Sequence, residues 1–154
     1  PGAPVAIHLP NSPVIATGKR DGSKIRLPNG NYLEETASYY VMAETKTGGF
    51  TPALITMKST QLNVSKKWNS MMLSLKMPGK NGLFTPPTYS HIYKLKTVQM
   101  SNDKGTWFGW DVSLVGPIKD KAVYDIAKQF ATRVSKGEIE AKHGTEDSKS
   151  EGLY

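Results

Sequence analysis

Residues 101–115, SNDKGTWFGWDVSLV, constrain the fold of this chain more than any other stretch. A polar turn over residues 101–105 is followed by side chains that alternate as in a β-strand. The residues of one face are Phe108, Trp110, Val112 and Leu114. We interpret that face as a core face, because successive strand residues point to opposite sides. Trp107 then points away from the core beside Gly109, which has no side chain to cover the ring. Such a ring is a candidate platform for a flat anionic ligand, and single-stranded nucleic acid is the commonest one.

β-Forming residues predict two hairpins with a helix between them. The first hairpin joins residues 38–45 to residues 51–58. The second joins residues 89–100 to residues 106–115. Between them, residues 59–77 change to helical spacing. The apolar stripe of this helix is Val64, Trp68, Met71, Met72 and Leu75. We interpret the stripe as core and not as a cofactor site.

Proline and glycine mark the boundaries of the remaining elements. Pro78 and Gly79 are predicted to stop the central helix, and residues 80–88 are predicted to form a loop. Asp120 is predicted to cap a terminal helix that ends at Gly137. Trp68, Trp110 and Phe130 are assigned to the core. In the first 37 residues we expect short extended pieces at 5–9, 14–17 and 24–27, with turns at 20–23 and 28–31.

The order of these elements predicts a mainly β protein with helices. A helix between the third and fourth strands of a five-stranded β-barrel, followed by a C-terminal helix, is the order of an OB-like fold. Other small antiparallel α+β folds fit the same order. We expect one OB-like domain over residues 1–137 and a mobile, polar and acidic tail over residues 138–154.

The charge of the chain is unevenly distributed. The formal net charge is +7 over 154 residues. Residues 138–154 contain five acidic residues and two lysines, so the remaining body carries 18 basic and 8 acidic residues, a net charge of +10. A basic body with an acidic tail indicates a polyanionic partner. No apolar run approaches the ~20 residues that span a bilayer, so we expect no membrane contact.

The sequence carries no recognisable catalytic motif. It contains no cysteine, which excludes disulfides, thiolate metal sites and cysteine nucleophiles. His8, His91 and His143 lie far apart in the sequence and lack metal-ligand spacing. Gly48 and Gly49 lack the Lys-Ser/Thr ending of a phosphate-binding P-loop. We therefore expect a non-catalytic protein without a metal or a cofactor.

Three segments resemble a known group of phage proteins: KSTQLNVSKKWNSMM (residues 58–72), NGLFTPPTYSHIYKL (residues 81–95) and SNDKGTWFGWDVSLVGP (residues 101–117). The chain resembles bacteriophage OB-fold single-stranded DNA-binding proteins of replication modules. The resemblance implies largely sequence-independent binding of single-stranded DNA during phage replication or recombination. It also implies a location in the cytoplasm of the infected bacterial cell.

Single-strand binding needs rings that stack on bases and cations that contact phosphates. Tyr39 and Tyr40 are adjacent on a strand, so only one of them faces the core, and the sequence leaves open which one. The candidate stacking residues are Trp107, Tyr40, Phe50 and Phe84, and His91 is a candidate for contact with a base edge. The candidate phosphate contacts are Lys19, Arg20, Lys24, Arg26, Lys94 and Lys96.

The expected partner is single-stranded DNA, with RNA left open. The tail resembles the acidic tails through which single-strand binding proteins recruit replication proteins, and a homodimer is also left open. The alternative reading is a phage structural or host-interaction protein whose exposed aromatic residues contact protein instead of bases.

Overall fold

The computed structural model of the chain describes residues 6–139. The chain divides into two compact units, one of which is Glu35–Ile139, while the other includes Pro1–Glu34. Strands predominate over helices in the described residues, so the mainly β class with helices is confirmed. Residues 140–154 of the predicted tail and the first residue of the predicted extended piece at 5–9 lie outside the described residues.

The unit that includes Pro1–Glu34 contains a three-stranded antiparallel sheet. Its elements are α1 (Pro13–Ala16), β1 (Lys19–Asp21), β2 (Lys24–Arg26) and β3 (Tyr32–Glu34), with β2 in the centre of the sheet. The extended piece predicted at 24–27 and both turns are confirmed. The extended piece predicted at 14–17 is wrong, because the Ser12 side chain accepts a hydrogen bond from the Val14 N–H at 3.4 Å and Pro13 begins a helical turn.

The larger unit contains three hairpins and two helices. Its strands are β4 (Thr36–Glu44), β5 (Phe50–Lys58), β6 (Met77–Gly79), β7 (Gly82–Phe84), β8 (His91–Asn102) and β9 (Gly105–Pro117), and its helices are α2 (Leu62–Ser74) and α3 (Lys121–Ser135). Short 3₁₀ turns at Ser59–Gln61 and Thr88–Ser90 precede α2 and β8. The two long hairpins and the helix between them are confirmed. The hairpin of β6 and β7 was not predicted, since we expected a loop there.

The core of this unit is built around Trp68 of α2. Met57, Trp68 and Val112 are buried against one another. The Tyr39 ring stacks on Trp68 with centroids 4.5 Å apart, and the Tyr93 ring meets Trp68 edge-on at 5.7 Å. The Tyr39 hydroxyl lies 2.7 Å from the Ser65 hydroxyl of α2. Tyr39 is therefore the core member of the tyrosine pair, and Tyr40 is exposed.

The predicted core face of β9 is only half correct. Trp110 and Val112 pack in the core, whereas Phe108 is 71% exposed and Leu114 is also exposed. Phe108 is exposed because it lies four residues, or about 13 Å, from Val112 toward the hairpin tip. The contact between Val112 and Trp68 marks where α2 covers the ribbon, and Phe108 extends beyond it.

The described strands do not close into a barrel. Each of the three hairpins in the larger unit pairs only with itself among the described residues, and α2 follows the fifth described strand instead of the third. The Trp110 N–H, on the outer edge of β9, donates a hydrogen bond to Gln61 Oε1 at 2.7 Å. A side chain thus occupies the edge position where a barrel needs another strand, and barrel closure is not confirmed.

The predicted C-terminal helix is confirmed as α3. Asp120 Oδ1 accepts a hydrogen bond from the Ala122 N–H at 2.8 Å, as expected for an N-cap. The helix ends shortly before Gly137, which has a φ of 71°. No residue of α3 is fully buried. Phe130 is half-buried, so the assignment of Phe130 to the core is only partly correct. Within residues 6–139, no helix has the length and apolarity to cross a bilayer.

We expect Met57→Ala to lower the free energy of unfolding of the larger unit by about 2–5 kcal/mol, since it leaves a cavity in the core. The matched control is Leu73→Ala on α2, where the side chain is 69% exposed and the change is expected to stay within about 0.5 kcal/mol. All three tryptophans lie in this unit, so urea unfolding followed by tryptophan emission measures both variants. Equal losses for the two would contradict the assigned core.

Candidate nucleic-acid interface

An open depression lies at the tip of the β8–β9 hairpin. Its volume is about 400 Å³. It is lined by Ser59, Thr60, Asn102, Lys104, Gly105, Thr106 and Trp107. The lining thus combines hydroxyl groups, an amide, an ammonium group and an indole ring. We refer to it below as the tip depression.

Trp107 contributes part of its ring to the tip depression. The residue is half-buried, and its Nε1 is buried without a hydrogen-bond partner among the described residues. The prediction that this ring lies off the core is therefore correct, but the ring is not fully uncovered. One side of the indole is fixed against the protein, and the remainder faces the depression.

Gln61 fills the space that Gly109 leaves open. A Cβ atom at Gly109 would lie 2.7 Å from Met100 Sδ and would also meet the amide nitrogen of Gln61. Gly109 has no side chain of its own to cover the Trp107 ring, but the Gln61 amide lies in the space that a side chain would take. The absent side chain instead makes room for the Gln61 amide, whose oxygen binds the Trp110 N–H.

Ser59 forms part of the wall of the tip depression. Its φ of 52° lies in the left-handed region, which is uncommon for a residue other than glycine. This conformation carries the chain from β5 into the 3₁₀ turn before α2. Ser59 and Thr60 consequently line the depression opposite the hairpin. Strained backbone of this kind is found preferentially at functional sites.

Lys104, in the turn between β8 and β9, is the cationic residue that lines the tip depression. Asn102 Oδ1 accepts a hydrogen bond from the Lys104 N–H at 2.8 Å, which shapes the two-residue turn. The Lys104 side chain is exposed, and the described part of the chain shows no ion pair for it. Lys104 and Trp107 therefore line the same depression, and single-strand binding combines a cation for phosphate with a ring for a base.

Lys94 and Lys96 lie on the same face of the ribbon as Trp107. Lys94 is opposite Ser113, Lys96 is opposite Asp111, and Met100 is opposite Trp107. Residues of one face recur every second position, so these side chains form one row along the ribbon. Between Trp107 and the two lysines lies the Val98–Gly109 pair, where the Gln61 amide fills the space beside Gly109. The lysines follow farther toward the open end of the hairpin.

Asp111 offsets part of the positive charge in this row. Lys67 Nζ of α2 lies 3.1 Å from Asp111 Oδ1. The hydrogen bond from Lys67 lowers the pKa of Asp111 below its ordinary value of 3.8, and the nearby charge of Lys96 lowers the pKa further. Asp111 therefore stays ionised near neutral pH and reduces the net charge that faces an anionic ligand.

The other predicted ring contacts lie on separate elements. Tyr40 is exposed opposite Leu54, and Phe50 is half-buried opposite Glu44. Phe84 belongs to β7 and lies close to Gly79 of its own hairpin. His91 Nδ1 lies 2.7 Å from the Ser90 hydroxyl at the start of β8. These four residues are not part of the lining of the tip depression, and their binding roles stay predictions.

The register of the small sheet separates the four cations predicted in the N-terminal region. Lys19, Arg26 and Tyr32 lie side by side across the three strands, and Asp21, Lys24 and Glu34 form the neighbouring row of the same face. Arg20 pairs with Ile25 and so lies on the opposite face. The four cations therefore do not form one cluster.

Sequence reasoning missed most of the lining of the tip depression. The turn that contains Asn102 and Lys104 was predicted. A lysine in a turn just before Trp107 and Phe108 was a signal that could have identified Lys104 as a site residue. No signal pointed to Ser59 and Thr60, because they lie over 40 residues from Trp107 in the chain. Within residues 6–139, no three histidine, aspartate or glutamate side chains come together in a way that could hold a metal ion.

We expect Lys67→Ala to raise the pKa of Asp111 toward 3.8, because the lysine is the main cause of the lowered value. A lowered folded-state pKa stabilises the fold above pH 3.8, and this contribution disappears as the pH falls through the lowered pKa. The variant should therefore lose this acid-dependent part of its stability. Carboxyl ¹³C NMR measures the pKa, with Lys66→Ala on the same helix as control. Equal Asp111 pKa values in the two variants would contradict the ion pair.

Comparison with known proteins identifies the family. The family model described as Pam3 phage gp34-like protein matches residues 1–140. No curated protein and no solved structure gives a significant match. The phage origin implied by the sequence resemblance is thereby confirmed. Because the match covers most of the 154 residues, the chain belongs to the Pam3 phage gp34-like protein family.

Proposed function

We propose that this phage protein binds single-stranded DNA without catalysing a reaction, and that it acts in phage DNA replication or recombination. The observation that carries the proposal is the tip depression, which is lined together by Trp107, Lys104 and three hydroxyl-bearing residues. Stacking on a ring and contact with phosphate are the two interactions that sequence-tolerant single-strand binding uses.

The half-buried ring limits what the depression holds. One side of the Trp107 indole packs against the protein, so the exposed part accommodates one base. The hydroxyl groups of Ser59, Thr60 and Thr106 donate or accept hydrogen bonds, which suits any of the four bases as well as a phosphate. This combination favours binding with little sequence preference.

The row of lysines on the ribbon gives the strand a path away from the depression. Lys94 and Lys96 lie on the face of Trp107 and are exposed. Cations in a row contact successive phosphates and release counterions from the nucleic acid. Asp111 weakens this row in part, so the proposal predicts moderate affinity with a marked dependence on salt.

The relation to OB-fold proteins is part of the same proposal. Its support is the order of elements in the larger unit, which is a long hairpin, α2, the short β6–β7 hairpin, a second long hairpin and α3. The described strands do not close into a barrel, so the relation rests on this order. The site of action that follows is the cytoplasm of the infected bacterium, where replication exposes single strands. Residues 138–154, with five acidic residues, are the segment we assign to recruitment of replication proteins.

Phe108 favours a second candidate function. It is 71% exposed on the ribbon face opposite Trp107. A large exposed apolar side chain is typical of protein contacts. A phage structural or host-interaction protein would use Phe108 against a protein surface and would need no contact with nucleic acid.

The test is fluorescence anisotropy of a labelled dT oligonucleotide titrated with the full chain. We expect binding at low salt, and Trp107→Ala should weaken it by about 1–3 kcal/mol for a stacked base. Trp107→Phe, which keeps a ring, should lose less. Lys104→Ala should also weaken binding, whereas Lys80→Ala in the equivalent two-residue turn between β6 and β7 should not.

The same titration identifies the result that would contradict the proposal. No binding of dT at low salt by the folded wild-type chain would reject it and favour the protein-contact function. Equal affinities of wild type, Trp107→Ala and Lys104→Ala would place any binding elsewhere than the tip depression. Circular dichroism at 222 nm checks that each variant keeps its helices.

A further inference from the structure

We infer that the row Lys19–Arg26–Tyr32 of the N-terminal sheet is a second contact for single-stranded DNA. This inference rests on the proposed function of the tip depression. Its ligand is a phosphate and an adjoining base of single-stranded DNA. It is carried by the strand register of the small sheet.

The register places the three side chains next to one another. Lys19 of β1 is directly opposite Arg26 of β2, and Arg26 is directly opposite Tyr32 of β3. Cβ atoms of directly opposed residues are about 4.5–5.5 Å apart. All three residues are exposed, with Tyr32 at 45%. Two cations and a ring thus form a continuous strip across the sheet.

The neighbouring row of the same face offers less positive charge. Lys24 lies between Asp21 on one strand and Glu34 on the other. The Asp21 carboxylate reaches the row of Lys19, where its Oδ2 lies 3.3 Å from the Arg26 guanidinium and accepts a hydrogen bond from the Tyr32 hydroxyl at 3.3 Å. With Asp21 set against Arg26 and Glu34 beside Lys24, the row of Lys19 keeps one excess cation and is the better site for an anionic ligand.

Two like charges directly opposite each other destabilise an antiparallel pair. Asp21 Oδ2 binds the Arg26 guanidinium at 3.3 Å and offsets part of this cost. The described residues show no ion pair for Lys19. A phosphate bound between Lys19 and Arg26 would remove the repulsion, so the arrangement favours a bound anion.

Tyr32 supplies the ring of this contact. The Arg26 guanidinium lies over the Tyr32 ring, 4.7 Å from its centroid, and also hydrogen bonds to the Tyr32 hydroxyl. The stacked pair holds the guanidinium in a fixed plane. Planar guanidinium groups and exposed rings are both surfaces on which unpaired bases stack.

The experiment compares Lys19→Ala and Lys24→Ala in the full chain, with labelled dT30 titrated over a range of salt. We expect Lys19→Ala to weaken dT30 binding and to reduce its salt slope by about 0.7, which corresponds to one phosphate. Lys24→Ala removes the same charge from the same face and should change dT30 binding less than Lys19→Ala does.

Equal changes in dT30 binding for Lys19→Ala and Lys24→Ala would overturn the second contact while leaving the proposed function intact. Absence of dT binding by the wild-type chain would overturn both. Thermal unfolding of Lys19→Ala distinguishes a binding role of Lys19 from a role in stabilising the fold. Lys19→Ala should keep or raise the stability of the chain, because it removes the like-charge pair, and a loss of stability would contradict the inference.

Discussion

The hydrogen bond from the Trp110 N–H to Gln61 Oε1, 2.7 Å long, is the contact on which the larger unit depends for its functional geometry. It joins the start of α2 to the outer edge of β9. Because Ser59 and Thr60 immediately precede Gln61, the bond holds them beside Trp107. Gly109 makes the bond sterically feasible, since a Cβ atom there would collide with the Gln61 amide. The same bond occupies the strand edge and explains why a helix end, and not another strand, covers β9 at this point.

The two long hairpins could be predicted from sequence because strand and helix periods differ. Alternation identified β4, β5, β8 and β9, and the change to helical spacing identified α2. The exposure of the Phe108 side chain could not be predicted in the same way. It shares the alternation of Val112, but alternation does not reveal how far along a ribbon a helix reaches. Only the packing of Trp68 against Val112 shows where the core ends and where Phe108 begins to be exposed.

The grouping of charged side chains on the surface was harder to predict than the burial of apolar side chains. Lys19, Arg20, Lys24 and Arg26 are close in the sequence, and this proximity suggested one basic cluster. Alternation alone separates Arg20 from Lys19, and only the pairing of β1 with β2 places Arg20 opposite Ile25 and away from Lys24 and Arg26. Pairing with β3 places Glu34 beside Lys24 and Tyr32 beside Arg26. Whether a surface cation is offset by an acid or stands next to another cation therefore follows from register, which short strands specify weakly from sequence alone.

The central claim is that a single strand of DNA contacts the Trp107 ring at the hairpin tip. The indole N–H signals of the three tryptophans in ¹⁵N-labelled protein test it most directly, because they report on one ring each. On addition of dT oligonucleotide, the account predicts a shift of the Trp107 signal, while the Trp68 signal from the core stays in place. A titration in which dT binds but the Trp107 signal does not move would contradict the account.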